Sequence, residues 1–294
     1  MGPTSQENGE CTVKVSVVIP AYNAEKYLMK CLNSIRQQTK PFSQVVVVND
    51  CSTDSTLAIA KDNIAAPVSK IVTTRTNLGI GNARKHGSME ANGDYICFLS
   101  HDDVYLPTYL ETMLEYVDGE SILYSDYVYC DHRLEPLSVF SSPKWNTQEE
   151  FRRLAIEWAL QRIMFTNFSS VMIPRTVFSK VQFNESLRFG EDSVFLLETI
   201  RAKIPWKHVP EVLVYYRVHS EAGTQKMWKR RDWENWWHKL GIVLRDLGVS
   251  EKRINNAMHS SFHDRFGWRR RMKAQIPIQI KPTLRHIKHL LTDG

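Results

Sequence analysis

Three short apolar runs constrain this chain most. Residues 13–19, residues 45–48 and the run from Tyr95 to Leu99 are of strand length, and the first two are built almost wholly of β-branched residues. Continuous runs of this kind suit strands buried on both faces. Between them the pattern changes period. Within residues 25–38, Tyr27, Leu28, Cys31, Leu32 and Ile35 fall at helical spacing, and helices are expected again over 57–63 and 82–91. A short third strand is expected at 71–74. Strand and helix in alternation predict a mainly parallel sheet, which collects ligands outside the carboxyl ends of its strands.

The later chain is less regular. A helix is expected at 106–117, a strand at 122–128, a loop over 131–150 broken by Pro136 and Pro143, an amphipathic helix at 151–163 and a strand at 168–173. Gly190-Glu191-Asp192 opens a helix over 194–200, and a last strand at 212–218 ends at His219. The expected fold class is α/β, a Rossmann-like, mixed but mainly parallel sheet flanked by helices. The 294 residues suit one large domain with extensions. The five cysteines are odd in number and lack a CxxC spacing, which argues against a disulfide framework or a zinc site and for a reducing cytosol. The polar start has no signal-peptide core and is expected to be disordered over 1–12, and no apolar run reaches the length of a membrane span.

Functional candidates gather where strands end. Phe98-Leu99-Ser100-His101-Asp102-Asp103 closes a buried strand on two adjacent carboxylates. Such acids repel each other unless a cation joins them, and a divalent metal carrying a phosphate is the simplest partner; a solvated turn is the plain alternative. Asp50, Asp192 and His219 also follow strand or loop ends and could converge on the same edge. Two carboxylates and a histidine suit Mg²⁺ or Mn²⁺. Asp192 reads either as a base or as the N-cap of the helix it precedes. Asn77-Leu78-Gly79-Ile80-Gly81 leads into a helix as a glycine-bearing loop, and Arg84 behind it faces an anion or a surface carboxylate.

Five ordered segments carry a resemblance. Val15-Ser16-Val17-Val18-Ile19-Pro20-Ala21-Tyr22-Asn23 resembles the opening strand of the family 2, GT-A type, inverting glycosyltransferases. Val46-Val47-Val48-Asn49-Asp50-Cys51-Ser52-Thr53-Asp54 is similar to their second strand and nucleotide-binding turn. Asn77-Leu78-Gly79 through Ala83-Arg84, with Gly93-Asp94-Tyr95-Ile96, resembles the segment before their acidic motif. Gly190-Glu191-Asp192 resembles their Glu-Asp motif, and Tyr215-Tyr216-Arg217-Val218-His219 their late tyrosine-arginine-histidine stretch. The resemblance covers roughly 13–220 and implies a GT-A domain over 13–225. It implies donor binding by Pro20, Tyr22, Asn23, Asp50, Asn77, Gly79, Arg84, Asp102 and Glu191. Metal binding would fall to Asp102, Asp103 and His219, and base catalysis to Asp192. The cofactor would be Mn²⁺ or Mg²⁺, the donor a nucleotide diphosphate sugar with UDP-sugars foremost, and the acceptor a saccharide or lipid-linked saccharide of surface polysaccharide or glycoconjugate biosynthesis. Two departures stand out: Ser100 replaces the first acid of the family's Asp-x-Asp-Asp pattern, and Cys51 sits where the family often has glycine.

Charge is divided along the chain. Residues 226–294 carry 16 Lys/Arg against 6 Asp/Glu, while residues 1–225 carry 22 against 26. Five of the eight tryptophans, Trp228, Trp233, Trp236, Trp237 and Trp268, lie in this basic extension, which is expected to be helical. Two readings stay open: an interfacial helix on an anionic membrane, peripheral on its cytoplasmic face, or packing onto the catalytic domain or a second copy. Nucleic acid is not the expected partner. A sugar-nucleotide pyrophosphorylase would need a glycine-rich basic loop in place of Pro20-Ala21-Tyr22-Asn23. A degenerate GT-A domain acting as a binding protein is the rival that Ser100 raises.

Overall fold

The computed structural model describes residues 12–64, 68–161, 166–188, 190–220 and 233–263. The first half alternates as β1 (Val15–Ala21), α1 (Leu28–Arg36), β2 (Gln44–Asn49), α2 (Thr56–Asn63), β3 (Val68–Thr73), α3 (Ile80–Glu90) and β4 (Tyr95–Phe98). A short β5 (Val104–Tyr105) and α4 (Tyr109–Leu114) follow. The second half holds β6 (Ile122–Cys130), β7 (Pro136–Phe140), α5 (Gln148–Leu160), β8 (Val171–Pro174), α6 (Glu191–Arg201) and β9 (Trp206–Arg217), then α7 (Trp233–Asp246) and α8 (Glu251–His263).

The described strands form one sheet in the order β3-β2-β1-β4-β8-β6-β9-β5, with β7 beside β6. β3, β2, β1 and β4 are parallel, β8 runs antiparallel between β4 and β6, and β6 and β9 are parallel. The sheet is therefore mixed, and β1, β2, β4, β6 and β9 all point their carboxyl ends to one edge. Every residue of β1, β2 and β4 is buried. Alternate side chains serve opposite cores. Val18, Val46, Ile96 and Phe98 pack with α3, α5, α6 and α7 on one face. Val17, Ile19, Val45, Val47 and Cys97 pack with α1 on the other. That double burial is why these strands read as unbroken apolar runs.

Several elements differ from the expectation. The 131–150 loop contains β7, paired as Tyr127↔Phe140 to Tyr129↔Ser138. Pro136 opens this edge strand, where its missing N–H costs no ladder bond, and the strand is only partly buried, so it lacks a clear apolar signal. The helix expected over 106–117 shrinks to α4, because Leu106 N–H donates to the Leu213 carbonyl at 2.9 Å and so stays beside β9. The strand expected at 168–173 begins with a 3-10 turn, Phe168–Ser170, whose first N–H groups are served by Asn167 Oδ1 accepting from Ser169 N at 2.8 Å. α5 starts earlier than expected, at Gln148, on a polar first turn capped by Thr147, which accepts from Glu150 N at 3.2 Å.

The extension does not stand apart where it is described. Trp236, Trp237, Leu240, Val243 and Leu244 of α7 join the same apolar core as Phe195, Leu196 and Ile200 of α6. Trp228, Trp268 and residues 264–294, on which the membrane reading rests, lie outside the described residues, as does the N-terminus through Cys11. No helix among the described residues is long and apolar enough to cross a membrane.

α3 lies close against β1 and β2 because Gly87 has no side chain: a Cβ there would sit 2.2 Å from Val18 Cγ1. In an open helix Gly→Ala adds about 1 kcal/mol of stability. Here Gly87→Ala is expected to reverse that sign and cost about 1–3 kcal/mol through overpacking, read from the urea unfolding midpoint.

Candidate active site

The β1 and β2 ends are tied into one loop cluster. Asn23 N–H donates to Ser52 Oγ at 3.0 Å, and Asn23 Oδ1 accepts from Thr53 N at 2.9 Å. Ala24 N–H donates to Thr56 Oγ1 at 2.7 Å. Asn23 and Cys51 both adopt left-handed backbone, φ 46° and 60°, a region that asparagine tolerates and a β-carbon otherwise strains. That explains why a glycine suits the Cys51 position. Asp50, buried after β2, accepts from Leu78 N at 2.9 Å, Gly79 N at 2.8 Å and Thr74 Oγ1 at 2.8 Å. Its carboxylate holds the loop that carries Asn77 and enters α3, and Gly79 makes the turn with φ +90°. Tyr22 is 46% exposed and stands beside this cluster, free to meet a ligand.

The acid pair divides its labour. Asp103 is buried: its carboxylate accepts from Ser169 Oγ at 2.6 Å and from Arg217 N at 2.9 Å. Burial, and then the charge of Asp102, push its carboxyl well above the usual carboxylate range against those two bonds. Asp102 is the more accessible acid. Its Oδ2 lies 3.0 Å from His219 Nε2. Burial raises its pKa, but the charges of His101 and His219 and the His219 hydrogen bond outweigh that and hold it below the ordinary value. His219 Nδ1 is buried and has no protein partner. Its ring leans on Tyr27, centroids 4.7 Å apart, and the Arg217 guanidinium lies 4.4 Å from the same Tyr27 centroid. Arg217 also donates from Nε to the Asp102 carbonyl and from Nη1 to the His132 carbonyl, both at 2.7 Å. Pro20 enters through its carbonyl, 3.3 Å from His101 Nδ1.

The Glu-Asp segment forms the first turn of α6. Gly190 occupies the N-cap position in left-handed backbone, φ 66°, so Asp192 is not the cap. Asp192 is partly exposed, and its Oδ1 accepts from Ser193 N at 2.7 Å. Glu191 is buried and ion-paired to Arg84, which stacks over Phe168 at 4.4 Å. Burial, then the charge of Asp192, raise Glu191 to about 7 against the pull of Arg84. Arg84 therefore faces a buried carboxylate of its own chain, and Gly81 makes room for it, since a Cβ there would meet Glu191 Cγ at 2.7 Å.

Two neighbouring residues link the acid pair to the Glu-Asp turn. Ser169 bonds Asp103, and its neighbour Phe168 stacks on the Arg84 that holds Glu191. The Tyr216 phenol is pushed up by burial and then by the charges of Asp103, Asp102, Tyr129 and Asp192. Sequence reasoning did not single out Tyr27, Ser169 or Trp236, and it quoted Arg217 only within a motif. Tyr27 reads as one more core position of a helix, and Ser169 and Trp236 act through contacts with partners 66 and 43 residues away, which no local pattern reveals.

This edge carries a loop cluster at the ends of β1 and β2 and paired acids after β4. The family model described as "Glycosyl transferase family 2" matches residues 16–179, and the chain belongs to that family. Among curated relatives, an uncharacterized glycosyltransferase of Rickettsia typhi is 28% identical over 71% of this chain and 65% of its own length. The minor teichoic acid biosynthesis protein GgaB of Bacillus subtilis is 29% identical over 79% of this chain and 26% of its own length. The chain thus spans less than two thirds of these relatives. Among solved structures, S. aureus TarS in complex with UDP-GlcNAc aligns with TM-score 0.65 at 21% identity, covering 95% of this chain and 79% of that one. The fold is GT-A.

Because Asp103 is a buried anchor and Asp102 is the more accessible acid, their variants should part company. Asp103→Ala leaves the Ser169 hydroxyl and the Arg217 N–H without a partner and is expected to cost about 2–4 kcal/mol. Asp102→Asn, which still accepts from His219, is expected to cost about 1 kcal/mol or less. Urea unfolding of the two variants checks this; equal losses would contradict it.

Proposed function

We propose that this chain transfers a sugar, with inversion, from a nucleotide diphosphate sugar to a hydroxyl of a saccharide or lipid-linked acceptor. Membership of the family supports transfer as such. The observation that carries the finer reading is the contact of Asp102 with His219 where β4 and β9 end, together with the partly exposed Asp192 on the first turn of α6. A UDP-sugar donor is favoured by TarS, whose structures include complexes with UDP and UDP-GlcNAc. GgaB, named for teichoic acid biosynthesis, favours a polymer or lipid-linked acceptor of the bacterial surface.

In this reading the loop cluster of Tyr22, Asn23, Asn77 and Gly79, braced by Asp50, receives the nucleotide. Asp102 and His219 fit a divalent cation shared with the donor diphosphate. Asp102 Oδ2 and His219 Nε2 lie 3.0 Å apart, and a cation taking the place of the proton between them would be held by both. Among the described residues no three His, Cys, Asp or Glu side chains form a metal cage, so phosphate oxygens and water would complete the shell. Mn²⁺ or Mg²⁺ there would neutralise the departing diphosphate. Asp103 takes part through its neighbours, by fixing Arg217 and Ser169. Asp192 takes the proton from the acceptor hydroxyl as that oxygen attacks the anomeric carbon on the face opposite the leaving group, and attack from that face inverts the centre. Glu191 and Arg84 fix the helix turn that presents Asp192.

A thermal-shift panel of nucleotide sugars with Mn²⁺ identifies the donor, with a UDP-sugar expected to give the largest shift. Asp102→Asn is expected to abolish Mn²⁺-dependent UDP binding; equal binding by the variant with EDTA present would refute the metal assignment. Asp192→Asn is expected to bind donor normally and lose about 10²–10⁴-fold in transfer rate, whereas near-normal turnover would leave Asp192 a structural first-turn acid.

A further inference from the structure

We infer that Trp236 of α7 is a positioning residue for Asp192, so that the C-terminal extension completes the catalytic turn. The inference rests on the reading of Asp192 as the base. Its grounds are a chain of hydrogen bonds. The Trp236 indole N–H donates to Ser193 Oγ at 2.8 Å, and the Ser193 hydroxyl donates to the Gly190 carbonyl at 2.8 Å. The Ser193 N–H donates to Asp192 Oδ1 at 2.7 Å. Ser193 thus joins the indole to both the cap and the carboxylate of one helical turn. The indole and the serine are both shielded: Trp236 is 7% exposed and Ser193 9%.

Shape reinforces the hydrogen bonds. The indole lies so close to Gly190 that a Cβ there would sit 2.2 Å from Trp236 Cδ1 and 2.4 Å from Nε1. Gly190 is therefore doubly required, by its left-handed φ of 66° and by the ring on its Cα. α7 is also seated next to this turn by Asn235, whose Nδ2 donates to the Ser186 carbonyl at 3.1 Å. An exposed carboxylate at a helix start would otherwise sample several rotamers. A side chain held by neighbours that are themselves locked keeps the reach a general base needs. Burial of an aromatic ring alone would explain Trp236 as core, but it would not explain why its one polar atom is aimed at the serine that touches Asp192.

The test uses the full chain and four variants. Trp236→Phe keeps a ring and removes the N–H, Ser193→Ala removes the hydroxyl, the double variant removes both, and Asp192→Asn tests the underlying reading on its own. Turnover is read as nucleotide release from the nucleotide sugar that gives the largest thermal shift, alongside donor affinity, melting temperature and hydrogen exchange over 186–196. Trp236→Phe and Ser193→Ala are each expected to lower kcat about tenfold, with donor affinity unchanged, and the double variant to lose no more than either single one. Amide exchange over the α6 first turn is expected to rise in both. Unchanged kcat and unchanged exchange in the folded variants would overturn the positioning role. So would a loss that appears only as a lower melting temperature. Near-normal turnover in Asp192→Asn together with raised exchange in Trp236→Phe would instead overturn the base and leave the contact standing.

Discussion

The carboxylate of Asp103 is the interaction on which this edge of the sheet depends. It is buried after β4, and it accepts from the backbone of Arg217 at the end of β9 and from the hydroxyl of Ser169 in the turn before β8. With Arg217 fixed, its guanidinium reaches the Asp102 and His132 carbonyls and the Tyr27 ring, and His219 two residues on meets Asp102. An isolated buried carboxylate is expensive, so the bonds that satisfy it also fix the elements that supply them. Two adjacent acids thus do different work: one holds the strands and the other, kept ionised by the histidines, meets solvent.

A second set of contacts approaches from the opposite core. Arg84 of α3 holds Glu191, and Trp236 of α7 holds Ser193, so the first turn of α6 is gripped from two helices. Asp192 is the acid of that turn that remains partly exposed. The loop cluster around Asp50 and the turn that carries Asp192 are therefore built on different supports, one on the parallel strands and one on a helix packing interface.

Much of this could be read from the chain. The parallel strands were legible because burial on both faces writes them as continuous β-branched runs, and Asp50, Asp102, Asp192 and His219 were legible because they follow strand or loop ends. What escaped was what long-range contact decides. β7 hides in a proline-bearing half-polar stretch and exists because β6 offers it a partner. Asp103 looks equivalent to Asp102 until Ser169, 66 residues on, is folded against it. The N-cap alternative for Asp192 was removed by a single backbone angle at Gly190. Trp236 looked like part of a basic extension, and only packing reveals that it touches the helix turn beside Asp192.

In the proposed function, Asp102 and His219 hold the donor's cation, with Asp103 behind them as an anchor. A crystal structure of the chain with UDP and Mn²⁺, using manganese anomalous scattering, tests it most directly. The account predicts an anomalous peak within bonding distance of Asp102 or His219, bridged to the diphosphate, with Asp103 still bonded to Ser169 and Arg217. UDP bound with the peak elsewhere, or with Asp103 turned to the metal, would contradict it.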